Sequence, residues 1–234
     1  MLATGHFWGQ LTGPERDAFE ARSDALELAH GHVLFRQGEP AGKVVLVQQG
    51  WLKVVGNSAT GCEVILAFRG AGELLGELSI FGSPQRSATV QAVGRVQVRL
   101  MNAAAFTSFL HEFTRLPWVM LAVLAERLRH ADRHRTGYAS ADVVQRLAAL
   151  LVEVSVDRQD PIAASGAALP LTQTEIAAAV AASREQVVRA LRVLRELGHV
   201  STGRGQVRVH HLEPLRAVAT GSRRRQASVD PKVA

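Results

Sequence analysis

The chain has 234 residues, 47% hydrophobic and 21% charged, ordinary for a globular protein and enough to bury a core without staples. No stretch free of charged residues exceeds fourteen, which excludes a transmembrane helix of about 18 apolar residues, and the lone Cys62 excludes an intramolecular disulfide or a cluster held by several thiolates of one chain. The net charge of +6 is uneven: residues 1–114 sum to −1, 115–141 to +3 and 142–234 to +4, so a polyanion such as nucleic acid is expected to meet the back half, the plainer alternative being a soluble basic surface.

Met1–Gln10 lacks a basic segment followed by an apolar one, which predicts no secretory signal and a cytoplasmic protein. Thr12–Leu28 reads as short helices, with Pro14 near a helix start. From Gly31 to Leu100, short apolar runs alternate with glycine: Val33–Phe35, Val44–Val47, Trp51–Val55, Val64–Phe68, Val90–Val93 and Val96–Leu100. Strands of four or five residues at that spacing predict a small antiparallel sandwich or barrel. Leu116–His134 reads as a long helix. Its Leu121, Leu124, Leu128 and Ala131 are spaced 3, 4, 3, as in a coiled-coil seam, and Pro117 and Arg135 continue the spacing. Such a stripe serves either dimerisation or packing on the chain's own sandwich. Gly137 is expected to break this helix, and Ala141–Val154 to resume one. Asp157–Leu169 reads as a loop, Thr174–Ala181 and Arg184–Leu197 as helices, and the segments flanking Gly203-Arg204-Gly205 as a hairpin. The tail from Gly221, with Arg223-Arg224-Arg225, reads as disordered.

Two capping boxes stand close together. Thr172 pairs with Glu175, and Ser183 with Gln186. Val187, Val188, Leu191 and Leu194 make the buried face of the second helix, leaving Arg184, Glu185, Arg189 and Arg192 outside it. Two short helices, a tight turn and a basic second helix suit a helix-turn-helix, whose second helix sets its N-terminal residues against base edges. Arginine can grip guanine O6 and N7, and glutamate can accept from cytosine N4. The alternative is an ordinary helical pair with surface salt bridges.

Thr172–Val209 resembles the winged helix-turn-helix of the CRP/FNR superfamily of bacterial transcription regulators. The run Ser183-Arg184-Glu185, then Val188-Arg189, is similar to the recognition helix of its cAMP-receptor subgroup. The resemblance implies DNA binding by Thr172, Ser183, Arg184, Glu185 and Arg189, the last three on a TGTGA half-site. Where the family has glycine in the turn, this chain has Ala181. A left-handed alanine there costs about 1 kcal/mol.

Gly72-Glu73-Leu74-Leu75-Gly76-Glu77-Leu78, followed by Arg86-Ser87-Ala88-Thr89, resembles the family's phosphate-binding cassette. The chemistry is intelligible from the residues. A cyclic phosphodiester is a compact monoanion. Arg86 can offer its oxygens a planar fork and Ser87 a hydroxyl. Gly76 lets backbone N–H groups approach, and Glu77 can accept from a ribose 2′-hydroxyl. The alternative is a Glu77–Arg86 surface ion pair closing a turn. By the same resemblance Gly76, Glu77, Leu78, Arg86, Ser87, Arg127 and Asp132 bind a cyclic nucleotide, with cAMP the leading candidate. Arg127 approaches the cassette glutamate, and Ala131 and Asp132 stand where the subgroup reads adenine.

The fold implied is α+β: a jelly-roll-like cyclic-nucleotide-binding β-roll over 1–114, a dimerisation helix over 115–138, a winged helix-turn-helix over 139–220 and a basic tail over 221–234. The partners implied are double-stranded DNA, a second copy of the chain and RNA polymerase, with no membrane. His130 and His134 lie one helical turn apart, but neither metal nor haem is expected, and no catalytic constellation stands out. Two other readings stand beside this one: a regulator of the same superfamily with another effector or none, and a nucleotide-binding module acting through protein contacts.

Overall fold

The computed structural model describes residues 6–57, 63–82, 84–156 and 168–221, the side chains of 57, 133–140, 156 and 168 excepted. Cys62, most of the loop expected at 157–169 and the Arg223–Arg225 tail lie outside the described residues. The chain divides into two compact units, residues 1–133 and 134–234.

In the first unit a 3-10 turn, Phe7–Gln10, precedes helix α1, Gly13–Ala21. Thr12 and Glu15 close a capping box at its start, and Glu15 also takes a two-pronged ion pair from Arg115. Six antiparallel strands follow: β1 Asp24–Leu28, β2 Val33–Phe35, β3 Lys43–Asn57, β4 Glu63–Arg69, β5 Leu74–Leu75 and β6 Thr89–Asn102. Their order is β1-β6-β3-β4, with β2 also on β6 and β5 also on β3. The short helix α2, Leu78–Phe81, lies between β5 and β6; α3, Ala103–Glu112, and α4, Leu116–Ser140, come after.

Two-residue alternation divides the core. Val44 and Leu46 join Phe7, Phe19, Phe106, Phe109, Leu116 and Met120 in a cluster under the helices. Val45 and Val47 face the other way, among Leu28, Phe35, Leu52, Val90, Val96 and Val98 inside the roll. Adjacent Leu74 and Leu75 split between the same two clusters.

Three local expectations are corrected here. Asp24–Leu28 is a strand, not helix: although Ala, Leu and Glu favour helix, Leu26 and Leu28 pair with Val98 and Val96. Arg99 of β6 also binds the carbonyls of Glu20 and Ser23, ending α1. Gly50 and Gly94 mark irregularities within long strands, not the ends of strands. Gly50 has φ +88°, and a Cβ there would stand 2.5 Å from the Arg95 carbonyl oxygen, so β3 kinks through it without stopping. Gly137 does not break α4, which runs to Ser140. One face of α4 buries Leu116, Val119 and Met120, while Trp118, Leu121 and Leu128 are 71%, 57% and 64% exposed.

The second unit holds α5 Val143–Val156, β7 Ala168–Leu169, α6 Gln173–Ala179, α7 Arg184–Glu196, β8 Val200–Gly203, β9 Gln206–Val209 and α8 Leu212–Ala219. The sheet order is β7-β9-β8. α5 packs on α7 and α8. Leu147, Leu151, Ile176, Val187, Leu191, Leu194 and Leu215 are buried, while Val188 is only half-buried.

The turn between α6 and α7 holds Ala181 at φ +48°, the only non-glycine with positive φ among the described residues. The Ala182 N–H donates to the Ala177 carbonyl, which closes the end of α6 around that left-handed residue. Ala181→Gly should therefore raise the unfolding free energy of this unit by about 0.5–1 kcal/mol, the relief of Cβ strain being partly offset by a freer unfolded chain. Urea unfolding followed by circular dichroism would read this. No gain, or a loss, would mean that Ala181 is not strained.

Candidate effector and nucleic-acid sites

The first constellation sits where β5 leads into α2. Gly76 has φ +84°, and a Cβ there would lie 2.6 Å from Arg86 Nη1 and 2.8 Å from the Lys43 carbonyl oxygen. Only glycine fits. Arg86 donates through Nη2 to the Lys43 carbonyl at 2.8 Å and through Nη1 to the Gly76 carbonyl at 3.4 Å. Its guanidinium carbon lies 3.6 Å from the centre of the Phe35 ring. Arg86 is 6% exposed, and no carboxylate comes within 4 Å of it among the described residues. Burial pushes its pKa down, opposed by the charges of Glu39 and Glu77. A buried cation held only by carbonyls and an aromatic face favours an anion beside it.

Glu77 is also buried, at 3% exposure, but its partner is not Arg86. Arg127 of α4 donates to its Oε1 at 2.7 Å and to the Leu74 carbonyl at 2.7 Å. The surface pair Glu77–Arg86 considered from sequence is thus not formed. Glu77 Oε2 has no donor among the described residues and can accept from a sugar hydroxyl. Ser87 and Leu78 are exposed beside these groups, and Asp132 is exposed on α4. A cavity of about 270 Å³ adjoins Lys43, Gly76 and Ser79, but none of Glu77, Arg86, Ser87 or Arg127 lines it.

Sequence reasoning missed three contributors. Phe35 and the Lys43 carbonyl reach Arg86 from strands 51 and 43 residues earlier in the chain. Glu73 is buried, accepts from the Gly70 N–H at 2.8 Å, and lies 3.4 Å from Arg127 Nη2. Its place in Gly-Glu-Leu-Leu-Gly-Glu was visible, but its role was not.

The second constellation is on α7. Thr172 and Ser183 are helix caps: the Thr172 hydroxyl accepts from the Glu175 N–H at 3.2 Å, and that of Ser183 from the Gln186 N–H at 3.3 Å. Both boxes match the sequence reading. Arg184, Glu185, Arg189 and Arg192 are exposed. The Glu185 carboxyl is held below the usual carboxylate range, first by the Ser183 hydroxyl, then by its own backbone N–H, with Arg184 and Arg189 adding. It is therefore ionised at neutral pH, an acceptor only. Arg204 is exposed at the tip of the β8–β9 hairpin, between Gly203 and Gly205. Among the described residues no group of three or more His, Cys, Asp or Glu side chains could hold a metal, and no helix is long and apolar enough to cross a membrane.

A β-roll that buries an arginine without a carboxylate partner, joined to a winged helix-turn-helix, fits the class of ligand-responsive DNA-binding proteins. Comparison with known proteins agrees. Residues 25–113 match the cyclic nucleotide-binding domain, and 145–218 the Crp-like helix-turn-helix domain. A CRP-like cAMP-activated global transcriptional regulator of Mycobacterium tuberculosis is 31% identical over 190 residues, 78% of this chain and 84% of that one. The cyclic AMP receptor protein of Thermus thermophilus is 29% identical over 191 residues, 82% and 86% of the two chains. The solved structure of FixK2 from Bradyrhizobium japonicum shares the fold, with a TM-score of 0.71, 20% identity and 91% and 99% coverage. The chain belongs to the CRP/FNR superfamily of cyclic-nucleotide-responsive transcription regulators.

Proposed function

We propose that this protein is a cytoplasmic, homodimeric regulator that binds cAMP and, so loaded, a TGTGA-like palindrome. Residues 1–114 form the effector domain, 115–138 the dimer and transmission helix, and 139–220 the DNA-binding domain. The observation that carries the effector reading is Arg86, buried without a carboxylate partner against a glycine that tolerates no Cβ. Arg86 and Ser87 take the cyclic phosphate, Gly76 and Leu78 shape the approach, and Glu77, steadied by Arg127, accepts from the ribose hydroxyl. The exposed Leu121 and Leu128 support a seam with a second copy. Ligand gating requires that the nucleotide bind the DNA-competent arrangement more tightly than the other. RNA polymerase is the expected partner on DNA.

A second reading concerns the effector. A CRP-like protein Clp of Xanthomonas campestris is 25% identical over 185 residues, 73% of this chain and 80% of its own, and a solved structure describes CLP of that organism as c-di-GMP responsive. Asp132 can accept from an exocyclic amine but offers no hydrogen when ionised, and Ala131 offers nothing. Calorimetric titration with cAMP, cGMP and cyclic dinucleotides decides between the effectors. Heat with none of them would remove the effector reading. Asp132→Ser should shift the cAMP/cGMP preference and leave the phosphate contribution alone. Unchanged affinity for both would place Asp132 outside the base site.

A further inference from the structure

Among the described residues, the side chain of Arg184, at the first position of α7, has one hydrogen-bond partner. Its Nε donates to Gln173 Oε1 at 3.3 Å. Gln173 opens α6, eleven residues earlier, so the bond joins the two helices of the helix-turn-helix at their N-termini. Both residues line a cleft of about 320 Å³ whose other wall is the hairpin from Thr202 to Val207. Gln173 is half-buried and Arg184 exposed. The α6 start is itself fixed, because Thr172 and Glu175 exchange hydrogen bonds in both directions.

A guanidinium has two edges that can present parallel donors to an acceptor pair: Nε with one Nη, or Nη1 with Nη2. An amide oxygen on Nε uses up the first. We propose that Gln173 is a positioning residue for sequence readout, which holds Arg184 so that its Nη1–Nη2 edge is offered to guanine. The inference rests on the base-reading assignment of Arg184 made above and adds how that edge is chosen. A long exposed arginine otherwise samples many rotamers, and holding it before contact reduces what binding must order. Gln173 then influences one base pair without touching it.

The test is a double-mutant cycle on the full chain, with Gln173→Ala, Arg184→Ala and both, against the duplex enriched by in-vitro selection and its single-base variants. Gln173→Ala should weaken the enriched duplex by about 2- to 12-fold per half-site, the worth of one net hydrogen bond. It should flatten preference at the pair Arg184 reads, and change nothing once Arg184 is alanine. Gln173→Glu keeps the acceptor and should keep the preference, even as its charge weakens all duplexes alike. Equal loss from Gln173→Ala in both backgrounds would mean that Gln173 meets DNA itself, and would overturn the positioning role alone. Preference surviving in Arg184→Ala, or no enriched duplex at all, would overturn the base-reading assignment and this inference with it. A Gln173→Ala chain that fails to fold leaves Gln173→Glu to decide: loss of preference there refutes the inference.

Discussion

Arg86→Leu should reduce cyclic-nucleotide affinity by about 30- to 5,000-fold, the range for losing a charge-assisted contact to a buried anion, about 2–5 kcal/mol. The fold should survive. Arg86 makes two bonds to carbonyls, and leucine still covers Phe35. The freed Lys43 and Gly76 carbonyls lose those donors, so a modest fall in stability is expected beside the large fall in affinity. Calorimetry with cAMP, paired with a thermal melt of the apo variant, separates the two. Affinity within about twelvefold of the parent, no more than the worth of one net hydrogen bond, would mean that Arg86 is structural and the phosphate sits elsewhere.

Arg189→Ala should cost about 1–3 kcal/mol per half-site, and so act twice on a palindrome bound by a dimer. Arg189 is exposed on α7 and lies one turn beyond Glu185, whose ionised carboxylate it helps to hold. The two recognition helices of a dimer lie about 34 Å apart, so half-sites should be about 10–11 bp centre to centre. In-vitro selection with the variant should recover the same spacing with relaxed preference at one pair. Loss spread evenly over all sequences would make Arg189 a phosphate contact, and a single asymmetric site would rule out the symmetric pair.

The strand regions were legible because β-branched runs punctuated by glycine are a local signal. Val44–Val47 and Val64–Phe68 both fall within strands. β1 was not legible, since Asp24-Ala25-Leu26-Glu27-Leu28 has a helical composition and its partners lie about 70 residues onward. α3 carries a signal in the spacing of Phe106, Phe109 and Leu110 behind the Asn102 cap. The short strand β7 exists only because β9 is beside it. At the candidate effector site, Gly76, Glu77 and Arg86 were legible as a local motif. The Arg127–Glu77 bond was expected only through family resemblance, because fifty residues separate the two. Phe35 was beyond reach for the same reason: a contact between distant elements leaves no periodicity in the chain.

Phe35 belongs to two neighbourhoods at once. Its ring lies against the Arg86 guanidinium, and it is also counted among the apolar residues filling the roll. On the proposed effector reading, the receptor for the phosphate charge therefore rests directly on the hydrophobic interior. Substitutions that reshape that interior, at Val45 or Val90 for instance, would tilt the platform beneath the guanidinium. In a genetic screen such lesions would score as insensitivity to the effector, although the altered side chains never meet it. On that reading, effector sensitivity can be tuned by repacking the inside of the roll, away from the residues proposed to touch the nucleotide.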